Sequence, residues 1–375
     1  MNDPQAEEFN NPRGQYDLIV VGAGVAGLSA AYALSSQARV LVLERESQPA
    51  YHSSGRSAAM YIEGYENPVV AELTQASGPF FKQPPEFCNA PLLHNRGGLT
   101  AAVKGDERAL EKYLDTWQPF CPNLRRVDPD EAQKICSILR REISIGGAYD
   151  PDWLSIDVHE LIQTYLRGLK ANGGTLLTDA EVTAIDNSRD NLSITTTAGT
   201  FQASTLVNAG GAWANHISAL AGGVSLPLTP MRRTAAIIPL PEEAAKNWPL
   251  VHTMQEQLYF KPESPGLMVC PQDETPSEAM DAYPHDIDVA IAMDRLQQIA
   301  DVEVTRVMHR WAGLRTFAPD RYPAVGHDPQ QPRLFWLAGQ GGFGVQTSPH
   351  MGQLIAATLL HNDPIPTQLQ VQRLL

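Results

Sequence analysis

The run Gly22-Ala23-Gly24-Val25-Ala26-Gly27 spaces its glycines as G-x-G-x-x-G, and Glu44 stands 20 residues beyond Gly24. That combination suits a pyrophosphate next to a ribose. Gly22 permits a tight turn, Gly24 lets backbone approach phosphate oxygens, and Gly27 lets helix and strand pack closely. The N–H groups of a following helix face the phosphates. An acid at 44 can accept from ribose hydroxyls and disfavours the 2′-phosphate of NADP. A second glycine cluster, Gly339-Gln340-Gly341-Gly342-Phe343-Gly344-Val345-Gln346-Thr347-Ser348, lies near the far end of the chain. Glycines so dense before a helix imply that backbone meets a ligand there as well. Between the clusters, Tyr51 to Tyr61 (YHSSGRSAAMY) is small, polar and basic, with neither helix nor strand period.

Elements must hold these groups. Tyr16–Val21 is a β-branched apolar run of the kind buried in a parallel sheet. A helix is expected from Leu28 to about Ser36, then a strand over Arg39–Leu43 that ends on Glu44, which completes a βαβ unit. The C-terminal cluster follows a strand over Leu334–Ala338 and precedes a helix from about Pro349 to Leu360, with proline in its first turn. Residues 158–170 place Leu161, Ile162, Tyr165, Leu166 and Leu169 on one helical face. Short strands are expected near Val182–Ile185, Leu192–Thr196 and Thr200–Ala203, and Thr205–Ala209 re-enters a parallel core that breaks at Gly210-Gly211. Nucleotide motifs at both ends imply a discontinuous cofactor domain (16–59, 150–214 and 313–375) with a substrate domain (60–149 and 215–312) inserted. Residues 1–15 read as a loose polar tail, not a signal peptide.

At 375 residues, 43% apolar and 19% charged, the chain has the composition of a globular protein with more than one core. A formal charge of −14 argues against nucleic acid as a partner. No apolar run reaches the roughly 20 residues that span a bilayer. The four cysteines lack paired or metal-ligand spacing, so buried free thiols in a reducing cytoplasm are expected, with no metal.

Five motifs in order, VVGAGVAGLSAAYAL, LVLERE, SSGRSAA, VNAGGAWA and WAGLRTFAPDRYPAVGH with GQGGFGVQTSP, resemble the FAD-dependent amine and amino-acid oxidoreductases of the D-amino-acid oxidase superfamily. Leu258-Tyr259-Phe260-Lys261-Pro262 and YHSSGRSAA look most like the bacterial D-arginine dehydrogenase type. The resemblance implies a mixed α/β fold, with a Rossmann-like, glutathione-reductase-type FAD domain and an inserted antiparallel β-sheet substrate domain. It implies non-covalent FAD, its adenosine end on Gly22, Gly24, Ala26, Gly27, Glu44, Arg45 and Val182. Ala209, Gly210 and Trp213 of VNAGGAWA belong to the same site. The isoalloxazine would lie near Ser53, Ser54, Gly55, Arg56, Ser57, Ala58, Ala59 and Met60. Its other border would be Gly341, Gly342, Phe343, Gly344, Val345, Gln346 and Thr347.

An α-amino acid substrate needs a cation for its carboxylate, and a bidentate arginine provides one. Arg315 and Arg233 are the candidates, with Tyr259 and Tyr65 as hydrogen-bonding or capping aromatics; Gly342 and Gln346 complete the reacting site. His52 reads as a loop histidine near the cofactor. The implied reaction is oxidative deamination of a D-amino acid, with hydride moving from Cα to flavin N5. Backbone N–H groups of Gly342–Gln346 would stabilise charge on the reduced ring. The implied acceptor is a quinone or another respiratory carrier, and the location cytoplasmic or peripheral to the inner membrane. Arginine-using relatives place a glutamate where this chain has Gly98, beside Arg96. Neutral or apolar side chains, near Met60, Ile62, Leu250 and His252, are therefore expected over D-arginine and D-lysine. A glycine- or sarcosine-type oxidase that uses O₂ is the alternative.

Overall fold

The computed structural model describes residues 15–240 and 243–375. The expected tail, up to residue 14, lies outside the described residues. Gln15 already belongs to the first strand, Gln15–Val21.

A parallel sheet positions the first glycine cluster. Thr175–Leu177, Val40–Leu43, Gln15–Val21, Gly199–Asn208 and Leu334–Ala338 lie side by side and parallel. Ala324–His327 adds an antiparallel edge. Successive residues alternate between two cores. Leu18, Val20, Val40, Val42, Phe335 and Leu337 point to one, while Ile19, Val21, Leu41, Leu43, Leu334 and Trp336 point to the other. Burial on both faces explains why these strands read as unbroken apolar runs. Helices Val25–Ser35, Val158–Ala171 and Gly344–His361 cover the first face, and Ala214–Ala221 covers part of the second. Gly199–Asn208 is a single strand rather than two, because its first half pairs with the hairpin Val182–Asp186/Leu192–Thr196 and its second half with Gln15–Val21.

The second sheet has nine strands among the described residues. Thr229–Ile238 pairs on one side with His309–Phe317 and on the other with Gly266–Cys270. Tyr259–Glu263, Leu250–Thr253, Gly98–Val103, Ser144–Asp150 and Arg125–Val127 follow in that order. Neighbours are antiparallel except Leu250–Thr253 against Gly98–Val103, which run parallel. His309–Phe317 stays paired with Thr229–Ile238 over its whole length, so it runs across the expected boundary at 313 inside this sheet.

The last helix begins at Gly344, five residues ahead of the expected proline start. Pro349 lies inside it and has no N–H to give the carbonyl of Val345. The Ser348 hydroxyl donates to that carbonyl instead, at 3.0 Å, and the helix continues.

Candidate active site

The βαβ turn is built by close backbone contact. Gly22 has φ +101°, and a Cβ there would lie 2.5 Å from the Ala209 carbonyl oxygen. A Cβ on Gly27 would lie 1.9 Å from the Gly22 carbonyl oxygen, so only glycine lets helix and strand meet. Glu44 is buried behind the turn. Its Oε2 accepts from the Ala23 N–H at 2.7 Å and its Oε1 from the Glu46 N–H at 3.0 Å. The acid therefore braces the loop as well as facing the cavity.

That cavity collects most of the expected cofactor residues. Gly22, Gly24, Ala26, Glu44, Arg45, Ser53, Ser54, Ser57, Ala58, Val182, Ala209, Gly210, Trp213, Gly341, Gly342, Gly344 and Val345 line it. Others serve it from behind. Gly55 packs on the Ala50 carbonyl, Phe343 packs on Phe317, and the Thr347 hydroxyl donates to the Phe343 carbonyl inside the helix. Ala59 and Met60 open instead into a second chamber.

Arg56 lines the first cavity, and its guanidinium also ties the loop to its surroundings. It donates to the carbonyls of Tyr51, Ala282 and Ala312 and to Asp281. Four of its five N–H groups are thereby used. The Ser53 hydroxyl donates to the Leu314 carbonyl and the Trp311 indole to the Arg56 carbonyl at 3.0 Å. This loop is thus stitched to the strand that carries Arg315. His52, which also lines this cavity, pairs with Glu46 at 2.9 Å and packs on Trp213.

The second chamber, of about 550 Å³, shares Arg233, Tyr259, Arg315, Gly342, Val345, Ser57 and Ala58 with the first. Register explains the gathering. Met231 stands opposite Arg315 and Arg233 opposite Gly313, so both arginines leave the same face as diagonal neighbours. His252 stands opposite Tyr259 on that face. Arg315 has no hydrogen bond or ion pair among the described residues. Its guanidinium lies over Gly342, where a Cβ would be 2.7 Å from Nη1. Arg233 is engaged: Nε donates to the Asp273 carbonyl at 2.8 Å and Nη2 meets Glu274 at 2.9 Å. Burial, reinforced by Cys270, raises the pKa of the Tyr259 hydroxyl, which therefore stays a donor. Burial and the charge of Arg233 push His252 down to about 4, so its ring is neutral near pH 7. Tyr65 lines the chamber beside Val70 and Phe343.

Gln346 also lines the chamber, but its side chain is occupied. Oε1 accepts from the Ile62 N–H at 3.0 Å and Nε2 donates to the Ile62 carbonyl at 3.4 Å, which holds Ile62 in the wall. Gly344, Val345 and Gln346 are the first residues of the helix, where backbone N–H groups lack intrahelical acceptors.

Met60, Ile62, Leu250 and His252 line the chamber, whereas Gly98 and Arg96 do not. A Cβ on Gly98 would lie 1.9 Å from Trp153, whose ring fills the space. Arg96 points to the carbonyls of Lys246 and Trp248. Three acids, Glu66, Glu256 and Glu274, line the wall with Arg321. Sequence reading missed them because residues 66, 256, 274 and 321 converge only in the fold. It also missed Tyr113 and Trp117, whose spacing of one helical turn in Glu107–Trp117 was the available signal.

Glycine oxidase of Geobacillus kaustophilus is 24% identical, over 91% of this chain and 92% of that protein. Its crystal structure superposes with a TM-score of 0.83 at 22% identity, covering 96% of this chain and 99% of that one. Mouse mitochondrial dimethylglycine dehydrogenase is 22% identical over 93% of this chain, which spans only 43% of that protein. The L-proline dehydrogenase of P. horikoshii shares the fold at a TM-score of 0.81 and 20% identity, covering 96% of each chain. Residues 17–358 match the model of one family, and the chain accordingly belongs to the FAD dependent oxidoreductases, with FAD as its cofactor.

Proposed function

We propose that the chain oxidises the Cα–N bond of a D-amino acid, giving an imino acid that hydrolyses to a 2-oxo acid and ammonia. One observation carries the reading. Arg315 is a guanidinium with no hydrogen bond or ion pair among the described residues, at the junction of the two cavities and beside the protonated Tyr259. A buried cation without a counter-ion is costly, and a bidentate carboxylate supplies one.

The turn at Gly22 and Gly27 fits FAD, because side chains at these glycines would close the approach of backbone to phosphate. When bound, FAD supplies the acceptor for two electrons and the Cα hydrogen. The chain orients the substrate. Arg315 holds the carboxylate, Tyr259 donates a second hydrogen bond, and Arg233, braced by Glu274, adds positive potential. The N-terminus of Gly344–His361 contributes potential of the sign that suits negative charge at the junction. None of the four cysteines lines either cavity, which supports non-covalent attachment.

We further propose cofactor and substrate units divided as in the sequence reading, with His309–Phe317 shared between them. The proposed acceptor is a quinone or another respiratory carrier, used in the cytoplasm or at the inner-membrane surface. Among the described residues no helix is long and apolar enough to cross a membrane. The likeness to glycine oxidase supports a second reading, direct use of O₂ on glycine or an N-methyl amino acid. Parallel assays of O₂ consumption and dye reduction, with D-alanine, L-alanine, glycine and sarcosine, separate the two. Dye turnover on D-alanine with little O₂ uptake is the expected result. Equal O₂ and dye rates, with glycine or sarcosine preferred, would support the second reading.

A further inference from the structure

The stretch Asp301-Val302-Glu303-Val304-Thr305-Arg306-Val307-Met308 lies between the helix Asp286–Ile299 and the strand His309–Phe317. It runs extended, without a turn, and its β-branched residues suit a strand. Yet the ladder stops short of it. The register that sets Ile237 opposite His309 would set Pro239 opposite Val307, and proline has no N–H with which to continue. The Asp301 N–H reaches the Ile138 carbonyl at 2.7 Å, and the Met308 N–H reaches the Ile237 carbonyl at 2.8 Å. Between them the N–H groups of residues 302–307 make no hydrogen bond among the described residues. Of their carbonyls only that of Val302 accepts, from the Gln297 side chain.

An open strand edge is a template for another strand, and folded proteins protect such edges with proline, lysine or a covering element. This run has neither proline nor lysine. Val302 and Val304 are half-buried in the cluster that includes Leu240 and Ile299, which fixes the run in place and leaves its edge open. Seven large apolar side chains are exposed among the described residues, and four of them gather here. Val307 and Met308 belong to the run, and Tyr283 and Ile287 stand around the start of the preceding helix. Asp286 pairs with Arg310, which brings that helix start alongside the end of the run. Apolar side chains beside an unpaired edge suit strand addition from another protein chain. A lipid surface does not suit them, because hydrocarbon cannot satisfy the open N–H and carbonyl groups.

We propose that residues 301–309 pair antiparallel with the same residues of a second copy of this chain, so that the nine-stranded sheet continues across a two-fold axis. The sequence selects both partner and register. A two-fold axis normal to the sheet keeps each side chain on its own face, so only residues whose numbers sum to an even value can stand opposite each other. Centred on Thr305, Asp301 stands opposite the partner's His309 and Val302 opposite the partner's Met308. Glu303 then meets the partner's Val307, Val304 the partner's Arg306, and Thr305 its own copy. Acid faces imidazole at both ends, apolar faces apolar, threonine faces threonine, and no like charges stand opposite. Neighbouring registers fit less well. Centring on Val304 takes Asp301 away from His309, and centring on Glu303 or Arg306 sets like charges against each other. The pairing is independent of the substrate assigned above.

Sedimentation of the FAD-loaded protein, over a dilution series from about 100 µM to about 1 µM, tests the pairing. The wild type should reach twice the 41.0 kDa chain mass at the concentrated end. Amides 302–307 should exchange hydrogen more slowly there than in dilute protein. Thr305→Pro removes an N–H that is unpaired within the chain and blocks the centre of the ladder. It should sediment at the chain mass with its flavin spectrum and thermal midpoint retained. His309→Glu sets acid against acid at both ends and should raise the dimer Kd by about fivefold or more. Adding Asp301→Lys to it should return the Kd to within about threefold of the wild-type value. A wild type at the chain mass throughout, a T305P variant that still dimerises, or a dimer whose 302–307 amides stay unprotected would overturn the proposal. So would an H309E dimer as tight as that of the wild type, since the register would then be wrong.

Discussion

Arg315 is held in place by what its neighbours lack. Gly342 has no side chain to displace the guanidinium, and among the described residues Glu274 acts on it only from beyond ion-pairing distance. R315K keeps a charge but loses the planar fork, and kcat/KM should drop by at least about 100-fold, in line with the 2–5 kcal/mol cost of breaking a buried charge pair. Steady-state kinetics check this, with an unchanged flavin spectrum as the control. Gly342→Ala should raise KM more than it lowers kcat, because its Cβ would push on Nη1. His252 sets a pH effect of definite sign. Its depressed folded pKa, about 4, means the unfolded chain binds the proton more readily, so stability falls as pH drops from about 6.5 toward 4. Thermal midpoints across that range should fall more for the wild type than for H252Q. Glu256 was not legible from sequence at this scale, because its place in one wall with Glu66, Glu274 and Arg321 exists only in the folded chain.

Among the elements, the loop Tyr51–Tyr61 links cofactor to substrate mechanically. Arg56 and Ser53 fasten it to Ala282, Ala312 and Leu314, and Leu314 is adjacent to Arg315. R56A removes four hydrogen bonds, of which those to the Ala282 and Ala312 carbonyls are part-buried, and should cost about 1–3 kcal/mol, read as a lower unfolding midpoint together with weaker FAD retention. The sequence reading placed this loop correctly beside the cofactor turn, but a loop of small polar residues does not show which carbonyls its arginine will reach. The βαβ unit was legible because its glycines, apolar runs and terminal acid sit within about 30 residues and all depend on local geometry. The start of the last helix was misread because proline normally marks a first turn. The Ser348 hydroxyl, which replaces the missing N–H, cannot be anticipated from proline statistics.

At the scale of the molecule, the two sheets meet where Arg315, Tyr259 and Arg233 leave one and the glycine loop Gly339–Gly344 leaves the other. The family match gives FAD as the cofactor, and the cavity on one side of that junction is where we propose it binds. The register of His309–Phe317, Thr229–Ile238 and Tyr259–Glu263 accounts for the cationic, hydrogen-bonding face on the other. The general architecture was readable from paired terminal motifs, whereas the polarity of the chamber depended on long-range convergence. In the proposed reaction this junction orients an amino-acid carboxylate on Arg315 beside FAD. Anaerobic mixing of the FAD-loaded protein with a D-amino-acid panel, followed by flavin absorbance, tests it most directly. Bleaching by at least one D-amino acid, lost or slowed at least about 100-fold in R315K, is the predicted result. An oxidised spectrum with every amino acid, or bleaching at the wild-type rate in R315K, would contradict it.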